Sequence, residues 1–400
     1  MNSTQPFDHD APRPSRRQLV KTAAAAGIAA WLSAGKFPTI LHAQDKTGDA
    51  APILGDGDHK FEWLGTWAQR PADKPFGNTH SVQETADGRI FVHHTGPESM
   101  HVYDPDGKFI EAWGKEYHGA AHGMDLRKEG NEEFLYLAPT GLHKVFKTDL
   151  KGNVVFVLDF PKDAKDLHDG KLCYEDKETT KKVKTKTASG EEEKEVKEVK
   201  PAAAFYVPTF TAFAPNGDFY VTDGYGAGYI HHYNIKGEYI STFGGKGDAD
   251  DQTQCPHGIY CDTRDPAKPL LVVADREHHR LQYFTFDGKL DHLVVNDNAE
   301  ETKNDTGRLR RPCHFNQRGT EMVIPDLRGR VTILDKDNNA IAQLGDNPNA
   351  SQRANNGVKQ ADTVPGHFCC PHGATWDSHG NIFVAEWLPY GRLTKLRRIA

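Results

Sequence analysis

Apolar and polar residues alternate along most of the chain after residue 60, in short runs that end at turns containing glycine. Typical runs are SMHVYDPDGKFIEAWG, HKVFKTDLKGNVVFVLD, YIHHYNIKGEYISTFG and RLQYFTFDGKLDHLVV. Alternation with a period of two predicts strands with one buried face, and an Asp-Gly or Lys-Gly pair between two such runs predicts a hairpin. The pattern therefore predicts antiparallel β structure along the chain.

The hairpins belong to a longer internal repeat of about 40 residues. Each copy begins with a histidine or threonine, runs through a strand to a turn, and returns along a second, more apolar strand. The six copies start at His80, His122, Thr209, His257, His314 and His372. With the two alternating strands that follow, a copy predicts a four-stranded antiparallel unit, which is the blade of a β-propeller.

The last copy reaches the C-terminus without a fourth strand. Residues 61–70, FEWLGTWAQR, resemble the fourth strand of the first copy, KFIEAWGKE, and stand ahead of that copy. We therefore predict that this N-terminal strand completes the last blade, which closes the ring and removes an exposed sheet edge. The expected fold is all-β: a six-bladed β-propeller of four-stranded antiparallel blades, formed by one domain at residues 61–400.

The N-terminal region differs from the repeats. The pair Arg16-Arg17 is followed by a short Ala-rich apolar run at residues 22–35, which is typical of a twin-arginine export signal. That run is shorter than the roughly 20 residues of a bilayer span, so a membrane anchor is the lesser alternative. We predict a signal peptide at residues 1–43, a linker at residues 44–60, and a mature protein that is periplasmic or secreted without a membrane span.

The charge of the chain limits its partners. The formal net charge is −7, and the segment that export would remove is positively charged. The mature chain is therefore more acidic still, which argues against nucleic acid or an anionic membrane surface as a partner.

One segment does not fit the repeat. Residues 161–203 include EDKETTKKVKTKTASGEEEKEVKEVK, a charged stretch that cannot bury a core of its own. It predicts a protruding hairpin or a mobile loop without assigned chemistry, and a partner-docking arm is the alternative.

The histidines that begin the repeats should meet at the channel, because the first strand of each propeller blade lines the axis. His122, His257 and His372 are each followed by glycine and belong to the second, fourth and sixth blades, which lie about 120° apart. Three imidazoles with that symmetry predict a metal site with open coordination positions, as in catalytic zinc centres. The alternative is a packing role in which each ring bonds a neighbouring carbonyl.

Cysteines lie next to these histidines. Cys255 and Cys370 stand two residues before a predicted ligand, and Cys313 directly precedes His314. We expect first a disulfide between neighbouring blades, because an exported protein meets an oxidising compartment, and second a direct role in metal binding. The chain has no C-x-x-C or C-x-x-C-H motif, so haem attachment and a ribbon-type zinc site have no support.

Two stretches carry a resemblance to a known family. VTDGYGAGYIHHYNIKGEYI and CPHGIYCDTRDPAKPLLVVADREHHRLQYF resemble the peptidyl-α-hydroxyglycine α-amidating lyases, or peptidylamidoglycolate lyases, which are six-bladed propellers of the NHL-repeat group. The resemblance implies zinc bound by His122, His257 and His372, with Tyr225 and Arg276 as catalytic residues.

The sequence departs from that family at two positions. The family's arginine at the end of the first blade's second strand is replaced here by His94 and Thr95. We therefore take His94 as a candidate substrate contact. His80 and His314, which begin repeats in odd-numbered blades, are expected either to contact the substrate or to support the ligand histidines through hydrogen bonds. Gly373 replaces an aspartate that helps to hold calcium in the family, so calcium is not expected in that manner.

The expected chemistry follows from these residue types. Zinc, or another divalent transition metal, lowers the pKa of a bound hydroxyl. Tyr225 would act as a general base if the metal and Arg276 lower its pKa, and Arg276 would also bind a carboxylate. Alternatively, Tyr225 packs in a turn and Arg276 pairs with the acids that end the second strands, which should accept turn N–H bonds. These acids are Asp223, Asp275, Asp326 and Glu386.

We therefore expect an exported, monomeric, metal-dependent lyase or hydrolase that acts in the channel on a small α-hydroxy molecule or a peptide. The rival from another class is a non-catalytic NHL-repeat propeller that binds a protein or glycan. A calcium-dependent lactonase is a third alternative. The imidazole-rich axis disfavours it, because calcium prefers oxygen ligands.

Overall fold

The computed structural model describes residues 50–187 and 190–399, so the predicted signal peptide at residues 1–43 lies outside the described residues. Two short strands, β1 (Ile53–Leu54) and β2 (Phe61–Leu64), precede the first repeat. The repeats themselves form six separate antiparallel sheets arranged as the blades of a propeller. The predicted fold class is therefore confirmed.

The strands of the blades have the following bounds. Blade 1 contains β3 (Thr79–Glu84), β4 (Ile90–His94), β5 (Met100–Tyr103) and β6 (Phe109–Trp113), and blade 2 contains β7 (Gly123–Glu129), β8 (Glu132–Ala138), β9 (Val145–Thr148) and β10 (Val154–Leu158). The charged insert contributes β11 (Lys177–Thr187) and β12 (Gly190–Lys200). Blade 3 contains β13 (Thr211–Phe213), β14 (Phe219–Thr222), β15 (Tyr229–Tyr233) and β16 (Tyr239–Gly244).

The second half of the chain continues the pattern. Blade 4 contains β17 (Pro256–Asp262), β18 (Leu270–Asp275), β19 (Arg280–Phe284) and β20 (Leu290–Val294), and a short helix α1 (Ala299–Asn304) follows it. Blade 5 contains β21 (Asn316–Arg318), β22 (Glu321–Asp326), β23 (Arg330–Leu334) and β24 (Ala340–Leu344). Blade 6 contains β25 (Pro371–Trp376), β26 (Ile382–Glu386) and β27 (Arg392–Arg398).

The N-terminal strand closes the ring, as the sequence predicts. β2 pairs with β27, with Phe61 opposite Arg398 and Trp63 opposite Leu396. The sixth blade therefore takes its outer strand from the start of the domain. β1 adds a fifth strand outside it, with Ile53 opposite Glu62, which the repeat pattern did not predict.

The core lies between the blades rather than within them. An apolar cluster fills each of the six interfaces between neighbouring blades. In β18, Val272 and Ala274 face blade 5 while Leu271 and Val273 face blade 3. Because the second strand of a blade is covered on both faces, its sequence is a continuous apolar run rather than an alternating one.

Acidic side chains at the ends of the second strands hold the loops that enter the channel. Oδ1 of Asp275 accepts backbone N–H bonds from Gln254 and Cys255, at 2.9 and 3.0 Å. Equivalent bonds run to Asp223 from Val207, to Asp326 from Arg310, and to Glu386 from Cys369 and Cys370. These acids therefore fix the chain just before the channel strand begins.

Three of the ring histidines lie at β-bulges. Pro256 pairs with Asp275 and Gly258 pairs with Ala274, which leaves His257 as an extra residue between them. The same irregularity surrounds His80 and His372. A bulged residue is free of the ladder and its side chain is re-aimed, so the bulge directs each imidazole toward the axis.

The charged insert lies between blades 2 and 3 in the sequence. It forms a two-stranded antiparallel ribbon, in which β11 pairs with β12. None of the helices in residues 50–187 and 190–399 is long and apolar enough to cross a membrane.

Ring closure predicts the effect of a core substitution in β2. Phe61 is fully buried between blades 5 and 6, so Phe61→Ala should lower the free energy of unfolding by about 3–5 kcal/mol. Urea denaturation followed by fluorescence measures this loss. Ile53→Ala, at a side chain that is 51% exposed in β1, is the control and should change the midpoint little. Equal effects of the two substitutions would contradict closure through β2.

Candidate functional site

A cavity of about 610 Å³ opens at one mouth of the central channel. The loops that lead into the channel strands and those that leave the second strands supply its walls. Its lining includes Asn78, His80, Thr95, His122, Thr140, Tyr225, Arg276, Glu277, Arg311, Leu327, His372 and Trp387. Imidazole, phenol and guanidinium groups from all six blades therefore meet in one space.

Four buried histidines cluster at the cavity, and three of them, His80, His122 and His372, line it. The ring centroids of His122, His257 and His372 lie 4.7–4.9 Å from one another. His80 lies 4.8 Å from His122 and 4.6 Å from His372. One nitrogen from each of His80, His122 and His372 falls within 4.8 Å of the other two. The rings of the three predicted ligands thus lie together, but in the group whose ligand nitrogens converge His80 stands in place of His257.

Backbone carbonyls fix the tautomer of the three predicted ligands. Nδ1 lies 3.3 Å from the Thr209 carbonyl oxygen in His122, 2.8 Å from that of Cys313 in His257, and 3.0 Å from that of His80 in His372. A carbonyl oxygen can only accept, so each Nδ1 carries the proton and each Nε2 keeps its lone pair. The alternative in which each ring bonds a neighbouring carbonyl is therefore compatible with metal binding. The carbonyl takes Nδ1, and Nε2 remains available as a metal ligand.

The glycine after each of these histidines makes the carbonyl bond possible. A Cβ on Gly123 would lie 1.9 Å from the Thr209 oxygen, on Gly258 2.3 Å from the Cys313 oxygen, and on Gly373 2.4 Å from the His80 oxygen. These are the same three oxygens that accept the Nδ1 protons. Any larger residue would push the neighbouring blade away from the histidine, which explains why His-Gly recurs in alternate blades.

Tyr225 reaches the histidines from the side of the cavity. Its hydroxyl lies 3.1 Å from Nε2 of His122 and 2.9 Å from Nε2 of His257, and Nη1 of Arg276 donates to it at 3.1 Å. The phenol has one proton and can donate to only one of the two nitrogens. A buried Nε2 acceptor is therefore left without a donor, and a set of converging neutral imidazoles fits a divalent transition metal.

The electrostatics keep the histidines neutral. Burial lowers the pKa of His372 to about 3, and burial followed by the charge of Arg276 lowers that of His257 well below its ordinary value. Burial and the neighbouring rings do the same for His80 and His122. Neutral imidazole is the form that a metal requires.

Two arginines and one glutamate line the outer wall of the cavity. Nε of Arg276 donates to Oε1 of Glu277 at 3.1 Å, and Arg311 pairs with Oε2 of the same carboxylate. The Arg276 guanidinium also lies 5.2 Å from the centre of the Tyr225 ring. Asp275, by contrast, bonds Arg280 at 3.1 Å, so the alternative in which Arg276 pairs with the strand-end acids is wrong.

Sequence reasoning missed Arg311, Glu277 and Trp387. Arg311 has a φ of 123°, a backbone conformation that non-glycine residues avoid and that often occurs at functional sites. No local pattern signals that conformation. Glu277 directly follows Arg276 in the ADRE phrase, which was the one signal available.

Two predicted substrate contacts lie away from the cavity. Nδ1 of His94 accepts the N–H of Gly96 at 3.0 Å inside blade 1. His314 stacks on Phe210 at 4.1 Å, and its Nε2 lies 2.9 Å from Asp125. Their predicted roles gain no support from these positions, whereas His80 lines the cavity.

A one-residue register difference explains the position of His314. Pro312 pairs with Asp326 as Pro256 pairs with Asp275. Cys313 therefore occupies the ring position in blade 5, and His314 is turned to the other face of its strand.

The cysteines form no disulfide. All six lie in the described part of the chain and are free, with Cys255, Cys313, Cys369 and Cys370 buried. Burial raises the pKa of Cys255 to about 11 and that of Cys313 to about 12, so both stay protonated thiols. The expected bridge between blades is therefore absent, and the group of potential metal ligands among the described residues contains histidines alone.

Comparison with known proteins extends these observations. No family model matches the chain, so the NHL-repeat assignment stays a prediction. The chain is 28% identical over 306 residues to peptidyl-alpha-hydroxyglycine alpha-amidating lyase 1 of Drosophila melanogaster, a match that covers 71% of this chain and 46% of the relative. The chain therefore spans about half the length of that curated relative.

One solved structure shares the fold. Selenomethionine-substituted virginiamycin B lyase from Staphylococcus aureus has a TM-score of 0.50 and 14% identity, over 85% of this chain and all of that one. A streptogramin B lyase structure has a TM-score of 0.49 and 13% identity, over 87% and 99% of the two chains. At these identities the likeness concerns the fold alone. The chain is thus a six-bladed propeller with a buried histidine cluster, and it resembles the peptidyl-α-hydroxyglycine α-amidating lyases.

Proposed function

We propose that this protein is a zinc-dependent lyase that cleaves a small α-hydroxy substrate in the cavity at the channel mouth. One feature carries the proposal: three neutral imidazoles offer Nε2 lone pairs to one buried region, with the Tyr225 hydroxyl beside them. The similarity to an α-amidating lyase supports the reaction class, and the substrate in that protein's name is a peptide that ends in an α-hydroxy amino acid.

The proposed ligands are His122, His257 and His372, through Nε2. When bound there, zinc supplies a Lewis acid that lowers the pKa of a substrate hydroxyl in the open position. His80, whose Nδ1 lies 3.4 Å from Nε2 of His372, is the fourth imidazole of the cluster and can serve as a ligand in place of His257.

Residues of the chain itself move the proton. The phenolate oxygen of Tyr225 would take the proton from the substrate hydroxyl while the carbon that bears this hydroxyl becomes a carbonyl carbon and its bond to nitrogen breaks. The same oxygen returns the proton to the departing nitrogen, so no water is consumed. Burial raises the pKa of Tyr225 and Arg276 opposes that shift, so formation of the phenolate depends on the cations around it.

The outer wall recognises an anionic substrate group in this proposal. Arg276 and Arg311 share the single carboxylate of Glu277, which leaves one positive charge without an anion at the cavity wall. A substrate carboxylate would complete the pairing. Arg311 would thereby bind the substrate carboxylate in place of the arginine that the family has at the end of the second strand of blade 1. His94 and Thr95 occupy that position here.

The first prediction concerns metal content. Protein purified without chelator and supplied with zinc should hold about one zinc per chain, and the His257→Ala/His372→Ala double variant should hold none while its β-sheet circular dichroism is unchanged. Elemental analysis gives the stoichiometry. His118→Ala, at an exposed histidine, is the control.

Single variants define the ligand set. Loss of zinc from His80→Ala with retention in His257→Ala would make His80 the third ligand. Absence of stoichiometric metal in the wild-type protein would reject the lyase proposal and favour a propeller that only binds a partner.

The glycine contacts give a second prediction. Gly258→Ala should displace the Cys313 carbonyl and loosen the Nδ1 bond of His257, which should weaken zinc affinity about 10–100-fold. Competition with a chromophoric chelator measures the affinity. Gly357→Ala is the control, because a Cβ there would meet only a side-chain oxygen at 3.2 Å. Equal affinities in the two variants would show that the carbonyl bond does not support the ligand.

The proton-transfer role gives a third prediction. With an N-acyl-α-hydroxyglycine as substrate, Tyr225→Phe should lower kcat about 10²–10⁴-fold and retain its zinc. Arg311→Ala should raise KM and leave kcat nearly unchanged, since it removes binding that substrate and transition state share. Steady-state release of glyoxylate measures both. Full activity of Tyr225→Phe would exclude Tyr225 as the base.

A further inference from the structure

The charged arm, defined as the ribbon of β11 and β12, presents two sheet edges to solvent. Among residues 50–187 and 190–399, each of these strands pairs only with the other. Two-stranded ribbons are marginal in water and gain stability from a third or fourth strand. Valines in the arm remain exposed, with Val196 at 48% and Val199 at 59%. The arm therefore has the properties of a surface that a further strand would cover.

The base of the arm is held by contacts with the residues that flank it. The backbone N–H of Ala202 donates to the Asp176 carboxylate at 2.8 Å. Lys177 and Lys200, opposite each other in the first pair of the ribbon, hold their ammonium groups 4.8 and 4.7 Å from the centre of the Phe205 ring. These contacts anchor the ribbon at the end nearest the blades, while its two edges stay open.

The two edges differ in charge. Between residues 177 and 184, β11 carries Lys177, Lys181, Lys182 and Lys184 against a single acid, Glu178. Two such strands would repel each other, which is a common protection of a sheet edge. β12 instead mixes both signs, so its edge is the one that can accept a partner.

The charge order in β12 is complementary to itself. In an antiparallel pair with Val196 opposite Val196 of a second copy, Lys194 stands opposite Glu198 and Glu195 opposite Lys197. Because the pair of strands has two-fold symmetry, each of these ion pairs occurs twice in the dimer. The smallest slip that keeps the outward N–H and C=O groups opposite each other is two residues. It places Lys194 opposite Lys200 and Lys197 opposite itself in one direction, and Glu195 opposite itself in the other, so charge selects a single register.

We propose that two copies of this chain associate through β12, edge to edge, in that register. The product is a four-stranded antiparallel sheet with a two-fold axis at Val196, an isologous contact that closes on itself. Val196 and Val183 lie on one face of the ribbon, diagonal to each other, so their counterparts form one apolar stripe across the dimer. This association replaces the monomer expected from the sequence and is independent of the proposed reaction.

A charge exchange tests the register without disturbing the arm itself. Within the ribbon, Lys194 faces Val183 and Glu198 faces Thr179, so changing either charge creates no like-charge pair directly opposite it in its own chain. Lys194→Glu and Glu198→Lys should each weaken self-association about tenfold or more, because like charges then meet twice. An equimolar mixture of the two variants should form a heterodimer, since every opposed pair is again complementary.

Sedimentation velocity over a wide concentration range measures these equilibria. The control is Lys181→Glu, which makes the same charge change on the other edge, opposite Val196. This variant should dimerise with the same dissociation constant as the wild-type chain. Amide hydrogen exchange should slow with protein concentration in β12 but not in β11. A wild-type chain that stays monomeric at its highest soluble concentration would overturn the proposal. So would a dimer that Lys194→Glu and Glu198→Lys leave unchanged.

Discussion

The hydrogen bond from a channel histidine to a carbonyl of the next blade is the contact on which the site depends. It occurs at His122, His257 and His372, and a glycine beside each histidine admits the acceptor. Because Nδ1 is committed to the carbonyl, Nε2 keeps its lone pair on the axis. This one contact therefore joins two blades, fixes the tautomer of the histidine and directs its Nε2 atom. Even-numbered blades supply the imidazoles of these contacts, and odd-numbered blades supply the carbonyl oxygens.

The rest of the fold keeps the two partners of that contact in register. Apolar clusters fill all six interfaces between blades, and β2 closes the ring against β27. Acids such as Asp275 hold the loop just ahead of the channel strand through backbone N–H bonds. A blade that slid against its neighbour would lose buried apolar area and the Nδ1 bond together, so the packing of the whole ring supports the geometry at the axis.

Charge is distributed unevenly over the molecule. The chain as a whole is acidic, with a formal net charge of −7, yet Arg276 and Arg311 stand at the cavity with one carboxylate between them. Salt screens the distant acidic groups over about 10 Å, whereas guanidinium groups in the wall act at contact distance. An anionic substrate would therefore be attracted by Arg276 and Arg311 in spite of the negative net charge of the chain. In the same way, the order of charges in β12, rather than their sum, determines which strand can pair with it.

The sequence by itself determined the number of blades, the closing strand and the histidine ring, because alternation, turn signals and repeats are periodic features that need no contacts to be read. It also grouped His122, His257 and His372, since His-Gly recurs in alternate blades. Only the tertiary structure placed His80 among the potential metal ligands and Arg311 in the cavity wall. It also left the cysteines unpaired and put Cys313 where the repeat pattern had placed His314. A slip of one residue exchanges the two faces of a strand, and distances between blades depend on packing, so neither can be obtained from spacing along the chain.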